Sequence, residues 1–162
     1  MFHTIMVAYD ESREAAHALA SAIELAKPLG ADLKIVTVVE ALPAFYNIAA
    51  IVSPSVVDES LEGKRSQLRT LQQNAVKRAT AADVNADAIL VDGGEVSGIV
   101  RAAQREHADL LVIGLAKHHK FGAFNSTAHD VADHTPCPLL EINESPPHSS
   151  GVGQNRAQQP SS

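Results

Sequence analysis

Asp10 ends the apolar run Thr4-Ile5-Met6-Val7-Ala8-Tyr9 and precedes a helical pattern. A carboxylate there can accept hydrogen bonds from a ribose hydroxyl or a base, and the same position suits a turn residue or a helix cap. Gly114 stands directly after Leu110-Leu111-Val112-Ile113. Its missing Cβ permits a tight turn, or a close approach of backbone to a ligand. Asn125-Ser126-Thr127 opens the last helical pattern. Two hydroxyls beside the unpaired N–H groups of a helix start make a phosphate site, although the same residues also serve as plain caps. Between these stretches, Lys117-His118-His119-Lys120 supplies two fixed and two titratable positive charges. Phosphate contact and a solvated loop both account for them.

Other chemistries find no support. Of the eight histidines, His118 and His119 are adjacent and ill placed to converge on one ion. His129 and His134 are five apart on a helix and so do not face each other. No metal site is expected from them. No Gly-x-x-x-x-Gly-Lys-Ser/Thr loop occurs, no Gly-x-Gly-x-x-Gly follows the first strand, and no Gly-x-Ser-x-Gly elbow is present. Cys137 lies between Pro136 and Pro138 at a strand entrance, where a small buried side chain is expected rather than a reactive thiol. No nucleophile stands with a recognisable base.

The elements that position these residues alternate regularly. After the first strand, Ala16, Leu19, Ala20, Ile23 and Ala26 recur at helical spacing, with Ser12 as N-cap, Glu14 in the first turn and Pro28 with Gly30 closing the helix. Leu33 to Val39 is β-branched and reads as a strand. Residues 40–55 contain Pro43, Tyr46 and Pro54 without clean periodicity, which predicts a long connection. Leu61, Leu68, Leu71, Ala75 and Ala82 then mark a long amphipathic helix. Ala88 to Val91 is a third strand, Val96 to Ala103 a helix, and Leu110 to Ile113 a fourth strand. A helix over Ser126 to His134 and a strand over Pro138 to Ile142 complete the pattern.

Near-continuously apolar strands alternating with helices predict an α/β, doubly wound, five-stranded parallel sheet with helices on both faces. Strand orders 2-1-3-4-5 and 3-2-1-4-5 both fit. Residues 1–143 form the expected domain. The remainder, 144–162, has one valine and no larger apolar side chain, which predicts a disordered C-terminal tail.

The chain has 162 residues, enough for one domain with a hydrophobic core, and 45% of them are hydrophobic. Lys plus Arg is 13 against 19 for Asp plus Glu, a net charge of −6, so neither nucleic acid nor an anionic membrane is an expected partner. No apolar run approaches the roughly 20 residues that a membrane helix needs. Met1 to Thr4 lacks the basic start of a secretory leader. The single cysteine suits a reducing compartment. A cytoplasmic protein is expected.

Ile5-Met6-Val7-Ala8-Tyr9-Asp10-Glu11-Ser12, Ala108-Asp109-Leu110-Leu111-Val112-Ile113-Gly114 and His134-Thr135-Pro136-Cys137-Pro138-Leu139-Leu140 together resemble the universal stress protein family, over about Met1 to Ile142. The resemblance implies strand order 3-2-1-4-5 and a homodimer joined through the strand-five edge, Leu139 to Ile142. An apolar edge strand needs such covering. Nucleotide-binding members hold ATP through an Asp ending strand one, backbone at the end of strand two, and a Gly-x-x-Gly-x9-Gly-Ser/Thr loop after strand four. By resemblance those roles fall on Ala8 and Asp10, on Val38, and on Gly114, Lys117, Asn125, Ser126, Thr127 and Ala128.

The loop departs from that pattern: Lys117 replaces the second glycine, Asn125 the third, and the span is two residues shorter. Asn125 tolerates left-handed geometry, and Lys117 can substitute electrostatically for lost N–H contacts. The resemblance therefore implies a homodimeric stress-response protein that binds an adenine nucleotide, ATP or AMP, weakly or in altered form, with magnesium only as a companion of ATP. Hydrolysis is at most slow. The alternative is a member that binds no nucleotide and acts through protein contacts. A phosphoacceptor receiver domain fits less well, because strand five ends at Ile142-Asn143 without the lysine such a domain needs.

Overall fold

A computed structural model describes residues 1–40, 54–115 and 126–143, with side chains from residue 59 in the second stretch and from residue 128 in the third. The described elements run β1 (Thr4–Ala8), α1 (Arg13–Leu29), β2 (Asp32–Val39), α2 (Pro54–Ala81), β3 (Ala86–Asp92), α3 (Glu95–Arg105), β4 (Leu110–Leu115), α4 (Ser126–His134) and β5 (Leu139–Asn143). The strands form one sheet in the order β3-β2-β1-β4-β5, and every pairing is parallel. The α/β class and the 3-2-1-4-5 order are thus as expected. Most of the 40–55 connection, the 117–120 basic loop and the 144–162 tail lie outside the described residues.

Both faces of the three central strands, β2, β1 and β4, are buried, which is why these strands read as unbroken apolar runs. Ile5 and Val7 of β1 and Leu33 and Ile35 of β2 meet Leu19 and Ala22 of α1 and Ala75 and Ala79 of α2 on one face. Met6, Val36, Leu111 and Ile113 turn to the other face and meet Ile99 and Ala103 of α3 and Val131 of α4. Each fully buried Leu, Ile or Val contributes about 1.5–3 kcal/mol. The assignment of helices to faces follows from the chain path. β1 to β2 to β3 advances in one direction, with α1 and α2 on one face. From β3 the chain returns past β2 and β1 to β4 and advances the other way. Right-handed crossovers then place α3 and α4 opposite.

Some boundaries differ from the sequence reading. Pro28 does not stop α1; it sits in the last turn, and the helix ends at Leu29. Gly30, at φ 61°, is the left-handed cap, with Ala31 N–H donating to the Ala26 carbonyl at 3.1 Å. β3 extends beyond Ala88–Val91 at both ends, because as an edge strand it accommodates the exposed Asp87 and Asp92. Cys137 is partly rather than fully buried, with its sulfur 3.6 Å from Thr135 Oγ1.

The amino end of the sheet is closed by its own polar groups. Asp109, just before β4, accepts the His3 N–H at 2.7 Å and the Thr4 N–H at 3.1 Å, and its own N–H donates to the Thr4 carbonyl at 3.0 Å. Asn85 donates to Asp32 at 2.7 Å, and Lys34 pairs with Asp87 at 2.6 Å. The Asp87 hydrogen bond raises the Lys34 pKa, with partial burial opposing it and the negative charges of Asp87, Glu106 and Asp32 adding to the rise. No described helix is long and apolar enough to cross a membrane.

Candidate functional site

At the carboxyl end of the strands the described residues do not pair off in this way. β1 connects towards β2 and β4 towards β5, so the connections leaving two adjacent strands diverge and open a crevice between them. A cavity of about 1120 Å³ occupies this position, ample for a nucleotide-sized ligand.

The exit of β1 forms its floor. Tyr9 N–H donates to the Val36 carbonyl at 2.8 Å, and the buried Thr37 hydroxyl donates to the Tyr9 carbonyl at 2.7 Å. Both backbone groups of Tyr9 are therefore committed, and the turn leaving β1 is tied to β2. Asp10 Oδ1 accepts the Ser12 N–H at 2.8 Å, and Ser12 Oγ accepts the Ala15 N–H at 3.1 Å. These bonds realise the turn and cap roles that the sequence allowed. Asp10 is exposed and lines the cavity. Its turn bond orients the carboxylate while leaving lone pairs available to a ligand.

Val38, at the end of β2, also lines the cavity. A Cβ on Gly98 of α3 would meet its methyl groups at 3.0 and 3.2 Å, so this glycine lets α3 settle onto β2. Gly114 is the penultimate residue of β4 and pairs with Ile142 of β5. A Cβ there would lie 2.4 Å from the backbone carbonyl of Glu14 and 2.8 Å from the Ala15 nitrogen. Close packing of the first turn of α1 thus requires glycine at 114, whether or not a ligand is bound.

Of the residues proposed from sequence, Ala8, Asp10, Val38, Gly114 and Ala128 line this one cavity. Ser126 and Thr127 are the first two residues of α4, and their side chains lie outside the described residues. Lys117 and Asn125 also lie outside them. The sequence reading overlooked Thr37, and Ile99 of α3. It also overlooked the first half of α2, which contributes Ser60, Gly63, Lys64 and Gln67 to the lining. The missed signal was a change of character along one helix stripe, from polar to apolar. Among the described residues, no three His, Cys, Asp or Glu side chains are grouped to hold a metal ion.

Residues 1–142 match the universal stress protein family. A universal stress protein encoded in the QAH/OAS sulfhydrylase 3' region of Thermus aquaticus is 32% identical over 144 residues, spanning 88% of this chain and 99% of that protein. The crystal structure of a family protein from Burkholderia pseudomallei superposes with a TM-score of 0.66 at 30% identity, covering 87% of this chain and 96% of that one. A universal stress protein crystallised in complex with cAMP superposes with a TM-score of 0.68 at 24% identity, covering 89% and 99%.

Proposed function

Because the chain belongs to the universal stress protein family, we propose that it is a stress-response protein that binds an adenine nucleotide of the ATP or AMP class in the cavity between the exits of β1 and β4. The observation that carries this reading is the convergence of Ala8, Asp10, Val38, Gly114 and Ala128 on one cavity of about 1120 Å³. The cAMP bound by a relative of the same fold supports the ligand class.

In this reading Asp10 accepts from a ribose hydroxyl or the base, and the backbone at Val38 contacts the nucleoside. Lys117, Asn125, Ser126 and Thr127 serve the phosphates together with the start of α4, where unpaired N–H groups and the helix dipole favour an anion. Binding is weak or altered, since two glycines of the family loop are replaced. Magnesium enters only with ATP, and hydrolysis is at most slow. A homodimer forms through the β5 edge, where Leu140 is 37% exposed. The cytoplasm is the compartment that suits the acidic balance and single cysteine.

A second reading is favoured by the packing at Gly114. A glycine that helix packing already requires says nothing of a phosphate, and a member acting through protein contacts alone would keep it. Isothermal titration of the folded protein with ATP, AMP and cAMP separates the two. Saturable heat with at least one of them is expected. No heat at millimolar ligand would remove the nucleotide reading.

A further inference from the structure

α2 is 28 residues long, about 42 Å at 1.5 Å per residue, and its inward stripe changes character halfway. Over its second half the stripe is Leu68, Gln72, Ala75 and Ala79, all buried. Gln72 fixes the height of the helix, because its amide donates to the carbonyls of Ile35 at 3.3 Å and Ile89 at 2.7 Å, straddling β2 and β3. One and two turns earlier, the same stripe carries Ser60, Gly63, Lys64 and Gln67, spaced by three and four residues, and these line the cavity instead of the core.

Gly63 is otherwise unexplained. Glycine inside a helix costs about as much as any residue short of proline, yet a Cβ at this position would meet nothing within 4 Å. Neither packing nor a turn demands glycine here. It leaves open space in the cavity lining beside Lys64.

The described lining carries Asp10, Glu11, Glu14, Glu40 and Glu95 against a single cation, Lys64. The neighbouring cations of α2 are neutralised within the protein, Arg65 by Asp92 and Arg69 by Glu62. Lys64 forms no ion pair among the described residues, although five carboxylates share its cavity. An ammonium without an ion pair among the described residues, on the wall of a cavity of this size, can pair with an anionic group that enters it.

We infer that Lys64, presented by the polar half of α2, is a further residue by which this cavity distinguishes a phosphorylated adenine nucleoside from an uncharged one. The inference rests on the nucleotide reading above and adds a wall of the site to it. Gln72 and the apolar half of α2 hold the helix in place, Gly63 leaves space in the lining, and Lys64 supplies the positive charge.

Titration of adenosine and of AMP into the wild-type protein, Lys64→Gln, Lys64→Arg and the outer-face control Lys77→Gln tests this. Lys64→Gln is expected to weaken AMP about tenfold, the loss of one charge-assisted contact, while leaving adenosine within about twofold. Lys64→Arg is expected to restore most of the AMP affinity, and Lys77→Gln to change neither ligand. Equal weakening of both ligands, or no change in AMP, would overturn the role of Lys64 while the nucleotide reading stands. A wild-type protein that binds adenosine but not AMP would overturn the inference, and one that binds none of ATP, AMP and cAMP would overturn the reading beneath it as well.

Discussion

The two ends of the sheet are built from similar residues and use them differently. At the amino end, Asp109 is consumed by the backbone of His3 and Thr4, Asn85 by Asp32, and Lys34 by Asp87. At the carboxyl end, Asp10, Glu11, Glu14, Glu40 and Lys64 surround an open volume. There, among the described residues, Asp10 makes a local turn bond alone and Lys64 forms no ion pair. Polar groups that satisfy one another hold strands in register. Polar groups arranged around a cavity leave their remaining capacity to a ligand. The contrast follows from topology, since diverging connections open a crevice only where β1 and β4 exit.

The strongest way to break this contrast is Gly114→Ala. The added Cβ would strike the backbone of α1 rather than a movable side chain, so a loss of about 3 kcal/mol is expected, at the upper end of ordinary overpacking. Urea unfolding measures it. A neutral substitution would show that α1 does not approach β4 so closely, and would return Gly114 to a ligand role alone.

Asp109→Ala examines the other end. Leaving two backbone N–H groups without their partner is expected to cost about 2 kcal/mol. Nucleotide affinity measured by titration is expected to stay unchanged. A parallel loss of affinity would mean that the two ends are not separable.

The smallest effect concerns Lys34. Its folded pKa is raised, chiefly by the Asp87 hydrogen bond. The pair's contribution is therefore complete below the ordinary lysine value and disappears as pH rises through the raised one. Lys34→Met should remove that alkaline component from the pH dependence of stability. Because Asp87 is largely exposed, the difference is expected to be less than about 1 kcal/mol. An unchanged alkaline slope in the variant would deny the pair any role.

These outcomes also bear on what the amino-acid pattern could reveal. The strands were legible because burial on both faces leaves unbroken apolar runs such as Ile5-Met6-Val7 and Leu110-Leu111-Val112-Ile113. Strand order was not, because periodicity carries no pairing information, and only the family resemblance selected between two orders. β3 was read short, since an edge strand admits Asp87 and Asp92, which interrupt the apolar run. Asp10 was legible as a strand end, whereas Val38 was singled out only by the family resemblance. The approach of α1 to Gly114 was not legible, being a contact between residues about 100 apart in the chain. The α2 wall escaped because a search for amphipathic stripes follows apolar residues, whereas its cavity-lining half is polar.

The central claim is that ligand capacity resides at the carboxyl end of the sheet and not at the amino end. Amide shift mapping of the isotope-labelled protein during titration with AMP tests it most directly. Saturable shifts are predicted at Asp10, Thr37, Val38, Gly63, Lys64 and Gly114, with Asn85, Asp87 and Asp109 unmoved. Shifts concentrated at those last three residues, or no saturable shift at millimolar AMP, would contradict it.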